Sequence, residues 1–291
     1  MNCYYGGVFR PPPSGRPRLF FCMRQVSVSK VCASGFPAGL ARLSYVSDYD
    51  GIQDEALLLP PASSDWWVVC LHGFAGHSNQ IFVRRDIKQS WLPVFINGGY
   101  GVFSPNLRCD AWMNEAAQFD LRQLLECLRQ HHGARHFIFM SGSMGAAGSL
   151  IYAVTHSEDV DGLDLHGAVC DMAAYHDFCM ESPLPLAQEV GRSIEVAYGG
   201  SPLERPSVYA AQSAILRADV LSEMPFFLMH GSLDRVMPVA QSRHLAAALA
   251  NSAKFAYMEV PGGDHDAPLS LERNLLPGMP SPLDWIRSFR K

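Results

Sequence analysis

Short, continuously apolar segments alternate with amphipathic segments along most of this chain. From residue 66 onward the apolar segments include WWVVC, HFIFM, LDLHGAVC, PFFLMHG and FAYMEV. Because they lack polar–apolar alternation, they are typical of strands that are covered on both faces of a sheet. The segments between them have helical spacing, as in residues 114–131, where Leu121, Leu124 and Leu128 share one helix face. This order predicts an α/β fold with a mostly parallel open sheet and helices on both faces.

Composition separates the N-terminal part of the chain from the rest. Residues 1–40 are rich in Ser, Pro and Gly and contain five basic residues and no acidic one, whereas residues 41–291 contain 18 basic and 28 acidic residues. We predict a loosely packed or disordered N-terminal arm over 1–40 and one α/β domain over 41–291. Within that domain, the proline-containing residues 172–222 interrupt the alternation. They predict a small helical insert, which is either a lid over the strand ends or a plain long crossover.

The charge and the cysteines of the chain indicate which partners and which cellular compartment to expect. The acidic domain would repel phosphates, so no nucleic-acid partner is expected. No run of eighteen apolar residues is present, so no membrane span is expected. The eight cysteines form no Cys-x-x-Cys pair and are interpreted as buried apolar residues in a reducing, cytoplasmic environment, although their even number leaves one disulfide open. No metal-ligand spacing is present, so neither a metal nor another cofactor is expected. The oligomeric state stays open.

The stretch FIFMSGSMGAAG places Ser143 where a strand turns into a helix. Small residues stand two positions away on either side, Ser141 and Gly145, and they permit a tight turn that exposes the Ser143 hydroxyl at the sheet edge. The start of the following helix then favours negative charge at that point. A nucleotide-binding loop is disfavoured because the glycine spacing differs and no Lys-Ser or Lys-Thr follows. The alternative is a purely structural turn of small residues.

A serine hydroxyl needs a base, and the base needs an acid that fixes its tautomer. His265 lies in the loop GGDHDAP after the last predicted strand, and Asp234 lies in HGSLDRVMP after the preceding one. Because parallel strands end at one edge of a sheet, we expect both side chains to meet Ser143 there. Asp171 and the two aspartates that flank His265 are competing acids, and Asp234 is preferred over them.

The remaining parts of a catalytic site have candidates at the same edge. The backbone N–H groups of Phe74, in LHGF, and of Met144, directly after Ser143, are the expected oxyanion donors. Arg108 and Asp110 follow the strand segment VFSPN, and they either contact substrate or pair with each other. His176, in the insert, is a further candidate for a substrate contact.

Four segments, LHGF, SGSMGA, HGSLDRVMP and GGDHDAP, resemble the landmarks of the α/β-hydrolase superfamily, in the same chain order. Together they span residues 66–290. The segments YGGSPLERPSVYAAQSAI and MPFFLMHGSLDRVMPVAQSRHLAAAL are similar to the catalytic domains of prolyl-oligopeptidase-like enzymes and their esterase relatives. That subgroup usually has glycine at positions 141 and 146, where this chain has serine and alanine. The resemblance implies an α/β-hydrolase fold and a Ser–Asp–His order of catalytic residues.

The sequence therefore predicts a serine hydrolase that cleaves a small carboxylic ester or related acyl substrate through an acyl-enzyme on Ser143. The first alternative is an oligopeptidase or aminopeptidase that acts on short peptides. An acceptor alcohol in place of water would make the protein an acyltransferase. The alternative from another class is a non-catalytic binding protein with a hydrolase fold.

Overall fold

The computed structural model describes residues 26–270 and 281–290, and within them nine strands form one sheet. In chain order the strands are β1 (Val26–Lys30), β2 (Ala41–Val46), β3 (Gln53–Leu59), β4 (Trp66–Val69), β5 (Gly101–Pro105), β6 (His136–Gly142), β7 (Gly162–His166), β8 (Phe226–Gly231) and β9 (Phe255–Val260). Across the sheet their order is β1-β2-β3-β5-β4-β6-β7-β8-β9.

Most of the sheet is parallel. Every neighbouring pair from β5 across to β9 is parallel, whereas β1, β2 and β3 form an antiparallel ribbon that joins the sheet through an antiparallel β3–β5 pair. All residues of β4, β5, β7 and β8 are buried, as their continuous apolar runs predict. The prediction of a mostly parallel α/β sheet is confirmed.

Helices cover both faces of the sheet. In the described residues they are α1 (Gln80–Val83), α2 (Arg85–Ser90), α3 (Leu92–Asn97), α4 (Glu115–His132), α5 (Met144–Thr155), α6 (Met172–Glu181), α7 (Pro185–Tyr198), α8 (Pro206–Ala211), α9 (Ala218–Ser222), α10 (Ala240–Ala248) and α11 (Pro282–Ser288). One hydrophobic core contains buried residues of α4 to α10, and the other contains those of α1 to α3 and α11. No described helix is both long and apolar enough to cross a bilayer.

Helix α4 shows how local sequence sets these boundaries. The Asn114 side chain accepts a hydrogen bond from the Ala117 N–H over 3.1 Å and so caps the helix start. The helix ends at Gly133, whose φ of 65° suits the left-handed turn that closes many helices. The predicted apolar face of α4 is buried in the first core. This rigid helix supports the loop that precedes it, which lies beside the site described below.

Two segments outside the regular alternation have a defined place in the sheet. Strand β1 falls inside the predicted arm, because Val26 to Lys30 add to the hairpin of β2 and β3 through antiparallel pairing. The sheet therefore begins before residue 41, and residues 1–25 of the predicted arm lie outside the described residues. The predicted insert contains α6 to α9, between β7 and β8, and α6 packs against α7.

Candidate active site

Ser143 occupies a sharp turn between β6 and α5. Its φ of 59° and ψ of −130° are unusual for a residue with a side chain, a conformation that costs about 1–3 kcal/mol. The Ser143 N–H donates to the His166 carbonyl oxygen over 2.9 Å, which holds the turn. A Cβ atom at Gly145 would lie 2.2 Å from the Leu71 carbonyl oxygen, so the close approach of α5 to the end of β4 requires glycine there.

Ser141 differs from the glycine that is usual at its position, and it makes a contact that glycine could not make. Its side chain is buried, and its Oγ accepts a hydrogen bond from the Leu71 N–H over 3.0 Å. Leu71 follows β4 and leads into the loop that carries Phe74. The serine therefore ties the strand that carries Ser143 to the strand that leads to the predicted oxyanion donor.

The three residues predicted to form the catalytic group lie in hydrogen-bond contact. His265 Nε2 is 2.9 Å from Ser143 Oγ, and His265 Nδ1 is 2.7 Å from Asp234 Oδ2. Because a carboxylate only accepts, Nδ1 carries the proton, and Nε2 of the neutral ring is free to accept the proton of the Ser143 hydroxyl. The Asp234 side chain has no exposed surface, whereas the His265 side chain is 23% exposed. This difference in exposure leaves His265 accessible from the cavity and shields Asp234 from water.

A second histidine, which the sequence did not single out, contacts the same carboxylate. His230 Nε2 lies 3.2 Å from Asp234 Oδ2, and both side chains are fully buried. Burial alone would raise the pKa of Asp234, but the hydrogen bonds from His230 and His265 outweigh burial and lower the pKa well below its usual range. Asp234 therefore stays ionised beside His265. The sequence feature that marks His230 is its place at the end of a buried strand, four residues before the acid.

The surroundings of His230 fix its tautomer. Its Nε2 faces two acceptors, the Asp234 carboxylate and the Met237 carbonyl oxygen at 2.9 Å, so Nε2 must carry a proton. Its Nδ1 lies 2.6 Å from Ser242 Oγ, which can donate to a neutral ring. His230 thus donates a hydrogen bond to Asp234 Oδ2. The backbone N–H groups of Val236 and Met237 donate to the other carboxylate oxygen, Oδ1.

The loop that carries Phe74 is held on both sides of that residue. The Gly73 N–H donates to Gln80 Oε1 over 2.9 Å, and the Ala75 N–H donates to Asp110 Oδ1 over 2.8 Å. Within the described part of the chain, neither the Phe74 nor the Met144 N–H donates a hydrogen bond. Both remain available for an oxyanion. Gln80 could not be singled out from the sequence, since its role depends on how the chain folds back after α1 begins.

None of the three residues named as possible substrate contacts, Arg108, Asp110 and His176, is among the residues that line the cavity. The Arg108 side chain does not line the cavity that contains Ser143, because its donors are taken by Asp120 at 2.7 Å, Asp50 at 2.6 Å and Ser47 at 2.8 Å. His176 also lies outside the cavity lining, and its Nε2 is held 2.9 Å from Glu195 Oε1, which links α6 to α7.

Asp110 is not paired with Arg108, and it contacts the cavity only through the loop that it supports. Burial, together with repulsion from Glu189, raises the pKa of its carboxyl group. The competing acid Asp171 accepts from the Ala174 N–H over 3.0 Å and caps α6 instead of reaching His265. Of the two aspartates beside His265, Asp266 pairs with Arg84 at 2.7 Å.

A cavity of about 270 Å³ opens onto Ser143 and His265. Residues from both hydrophobic cores line it, so the serine lies between an α1–α3 side and an insert side. On the first side are Ile81, Ile87 and Trp91; on the second are Phe74, Trp112, Tyr175, Leu186, Glu189 and Val190. This volume and these walls suit a small, largely apolar substrate.

One group of possible metal ligands is present among the described residues. Ligand atoms of His156, Glu158 and Asp159 lie within 4.8 Å of one another. Arg122 pairs with Glu158 at 2.8 Å, and Arg129 pairs with Asp159 at 2.7 Å. The protein's own cations thus already balance these carboxylates.

Comparison with protein families identifies the chain. The model of the BD-FAE family matches residues 57–249, which include Ser143 and Asp234. The chain belongs to the BD-FAE family. The BD-FAE match begins within β3 and ends just after α10, so it includes β4 to β8 and the insert but neither β9 nor His265. A comparison with curated proteins finds no match.

Solved structures show that this BD-FAE family member has an α/β-hydrolase fold. It is similar to an S-formylglutathione hydrolase from Agrobacterium tumefaciens (12% identity, 90% of this chain and 98% of that chain covered, TM-score 0.64). It is also similar to a fluorophosphonate-binding serine hydrolase of Staphylococcus aureus, FphF (12%, 85% and 98%, TM-score 0.63). A puromycin-hydrolyzing peptidase of Mycobacterium tuberculosis aligns with 78% of this chain at 18% identity (TM-score 0.59), but the chain spans only 37% of that peptidase.

Proposed function

We propose that this protein is a serine hydrolase that cleaves small carboxylic esters or related acyl compounds through an acyl-enzyme on Ser143. The observation that carries the proposal is the continuous hydrogen-bonded chain from Ser143 Oγ through His265 to Asp234, open to a cavity at one end. A non-catalytic binding protein would not need such a chain. Among proteins of similar fold, an S-formylglutathione hydrolase, a fluorophosphonate-binding serine hydrolase and a puromycin-hydrolyzing peptidase agree with this proposal.

In the proposed first half of the reaction, Ser143 Oγ attacks the substrate carbonyl carbon while His265 Nε2 takes the hydroxyl proton. The carbonyl oxygen becomes negative and accepts from the Phe74 and Met144 N–H groups, and such a donor typically contributes about 2.7–4 kcal/mol to transition-state stabilisation. Asp234 stabilises the imidazolium that forms. His265 then donates its proton to the leaving oxygen as the carbon–oxygen bond breaks.

In the second half, water replaces the leaving group. His265 takes a proton from the water as its oxygen attacks the acyl carbon, and it returns the proton to Ser143 Oγ when the acid product leaves. The same cycle with an alcohol in place of water transfers the acyl group. The partly exposed position of His265 at the cavity suits this exchange of acceptor.

The test is covalent labelling combined with turnover. A fluorophosphonate probe should label Ser143, as located by mass spectrometry of peptides, and Ser143→Ala should abolish labelling and lower p-nitrophenyl acetate turnover by about 10⁴-fold or more. Ser104→Ala is the matched control, because Ser104 also lines the cavity but donates to the Cys70 carbonyl oxygen. An unlabelled wild type, folded by circular dichroism, would instead support a binding protein. Aminoacyl amides in the same assay test the peptidase alternative.

A further inference from the structure

The insert side of the cavity has an aromatic wall. The ring centroids of Phe74 and Trp112 are 6.5 Å apart, and those of Trp112 and Tyr175 are 6.1 Å apart. The Trp112 indole N–H donates to Ser193 Oγ on α7 over 2.8 Å, and the Tyr175 hydroxyl donates to the Val236 carbonyl oxygen over 3.3 Å. Trp112 and Tyr175 are buried behind the wall, whereas Phe74 is only partly buried, so the ring of Phe74 is the one that meets the open part of the cavity.

Glu189 adds a carboxylate to this wall. It lies on α7, three residues after Leu186 and one before Val190, and all three side chains line the cavity. The Glu189 side chain is exposed, and no described residue holds its carboxylate by a hydrogen bond or an ion pair. A carboxylate in this position is free to meet a group on a bound molecule.

The other charged groups of the cavity lining have partners. Arg84 lies between two carboxylates, Asp266 at 2.7 Å and Asp86 at 2.8 Å, and His265 is engaged between Ser143 and Asp234. Among the described lining residues, Glu189 is thus the one charged group that no described residue holds by an ion pair or a hydrogen bond. Asp110 lies close enough that repulsion from Glu189 contributes, after burial, to the raised pKa of its carboxyl group. A cation on the insert side would therefore meet the Glu189 carboxylate and the partly buried ring of Phe74.

We propose that Glu189, with the ring of Phe74, selects acyl substrates that carry a cationic nitrogen, which is a specificity that rests on the proposed hydrolase function. Cations bind the faces of aromatic rings, and the attraction grows when water is excluded. The carboxylate adds charge complementarity at the mouth, where an anionic substrate would be repelled.

Two isosteric substrate pairs test this selection. Acetylthiocholine carries its charge in the leaving group, and 3,3-dimethylbutyl thioacetate is its neutral counterpart; thiol release is followed with a disulfide reagent. The p-nitrophenyl esters of 6-aminohexanoic and heptanoic acid place the difference in the acyl group. In the wild type, kcat/KM for the cationic member of at least one pair should exceed that of its neutral counterpart by about tenfold. A ratio near one or below in both pairs overturns the proposal.

Substitution identifies the residue responsible. Glu189→Gln should reduce the cationic-to-neutral ratio about fivefold or more, because kcat/KM falls more for the cationic member of a pair than for its neutral counterpart. Glu181→Gln is the matched control, since Glu181 is exposed at the end of the adjacent α6 and lies outside the cavity lining. Equal ratios in the wild type and Glu189→Gln contradict the role of Glu189.

A binding measurement separates this inference from the catalytic one. Titration calorimetry with choline should show binding to the folded Ser143→Ala protein, and Glu189→Gln added to that variant should weaken the binding about fivefold or more. Choline binding without hydrolysis of any ester would keep the cation site and refute the hydrolase. Hydrolysis of neutral esters without choline binding would support the hydrolase and refute the cation site.

Discussion

The two sides of the cavity are held in place by different interactions. At the sheet edge, buried hydrogen bonds fix the atoms proposed for catalysis, from the Ser141–Leu71 contact to the four donors around Asp234. On the insert side, side-chain hydrogen bonds such as Trp112–Ser193 and His176–Glu195 hold the helices, and large apolar side chains such as Leu186 and Val196 stay exposed. We infer that the sheet edge fixes the proposed reaction geometry, whereas the insert selects the proposed substrate. Substitutions at the edge should therefore change kcat, and those in the insert should change KM.

The largest effect should come from the acid. Asp234→Asn removes the charge that orients His265 and favours the wrong tautomer, so kcat for p-nitrophenyl acetate should fall about 10⁴-fold. Asp171→Asn is the control, because asparagine caps α6 as well as aspartate does. The reverse outcome, with full activity in Asp234→Asn and loss in Asp171→Asn, would assign the role to the strand before the insert.

The next largest effect on kcat should come from a substitution in the tightly packed turn after Ser143. Gly145→Ala places a methyl group 2.2 Å from the Leu71 carbonyl oxygen, so the start of α5 must move away from β4. We expect a loss in kcat on the order of 10²-fold and in free energy of unfolding of about 1–3 kcal/mol. In Gly148→Ala, one turn later, the nearest atoms are 3.4 Å away, so little should change. Similar values for both variants would contradict a rigid sheet edge.

Removal of the hydrogen bond from His230 to Asp234 should have a smaller effect on kcat. His230→Leu removes the hydrogen bond to Asp234, and kcat should fall about tenfold with KM unchanged. His230→Gln keeps an N–H donor of similar reach and should restore part of the loss. Restoration by glutamine distinguishes a donor from a residue that only fills space.

The same variant carries a pH signature with a definite sign. The lowered pKa of Asp234 means that its ionised form stabilises the fold fully above its unfolded pKa, near 3.9, and progressively less as pH falls below that value. In His230→Leu the pKa of Asp234 rises. The difference in free energy of unfolding between wild type and variant, measured with urea, should thus be largest near pH 7 and shrink below about pH 4. A difference that grows on acidification would contradict the donor role.

The insert should give the smallest effect, and on a different quantity. Leu186 lines the cavity and is 49% exposed, so Leu186→Ala should raise KM for medium-length acyl esters a few-fold, leave kcat unchanged and alter the free energy of unfolding by no more than about 0.5 kcal/mol. Leu184→Ala, two residues earlier and outside the lining, should leave KM unchanged. A large fall in kcat for Leu186→Ala would show that the insert also sets reaction geometry.

The fold and the proposed catalytic chain were accessible from sequence because both depend on order and periodicity. Continuous apolar runs fix a parallel sheet, and a parallel sheet brings the loops with Ser143, Asp234 and His265 to one edge whatever their separation along the chain. The first strand was missed because four of the five residues of VSVSK are exposed, so burial leaves no pattern in it. Its place comes from backbone pairing with β2.

The directions of side chains in irregular loops could not be predicted from the sequence. Residues 107–109 and 112–113 all have positive φ, a backbone path that no composition rule predicts for Leu, Arg, Cys, Trp and Met. That path turns Arg108 away from the cavity toward Asp50 and Asp120 and turns Asp110 toward Ala75. His176 lies outside the cavity lining for a related reason, because the packing of two insert helices places its acidic partner Glu195 beside it.

The hydroxyl at position 141 has a practical consequence for recognising proteins of this kind. Restoring the customary glycine would leave the Leu71 amide hydrogen without an acceptor in a dry interior, a loss of about 1–3 kcal/mol. A pattern search that requires glycine at position 141 would miss this chain. The serine at that position joins the ends of β4 and β6 by a hydrogen bond, close to Ser143.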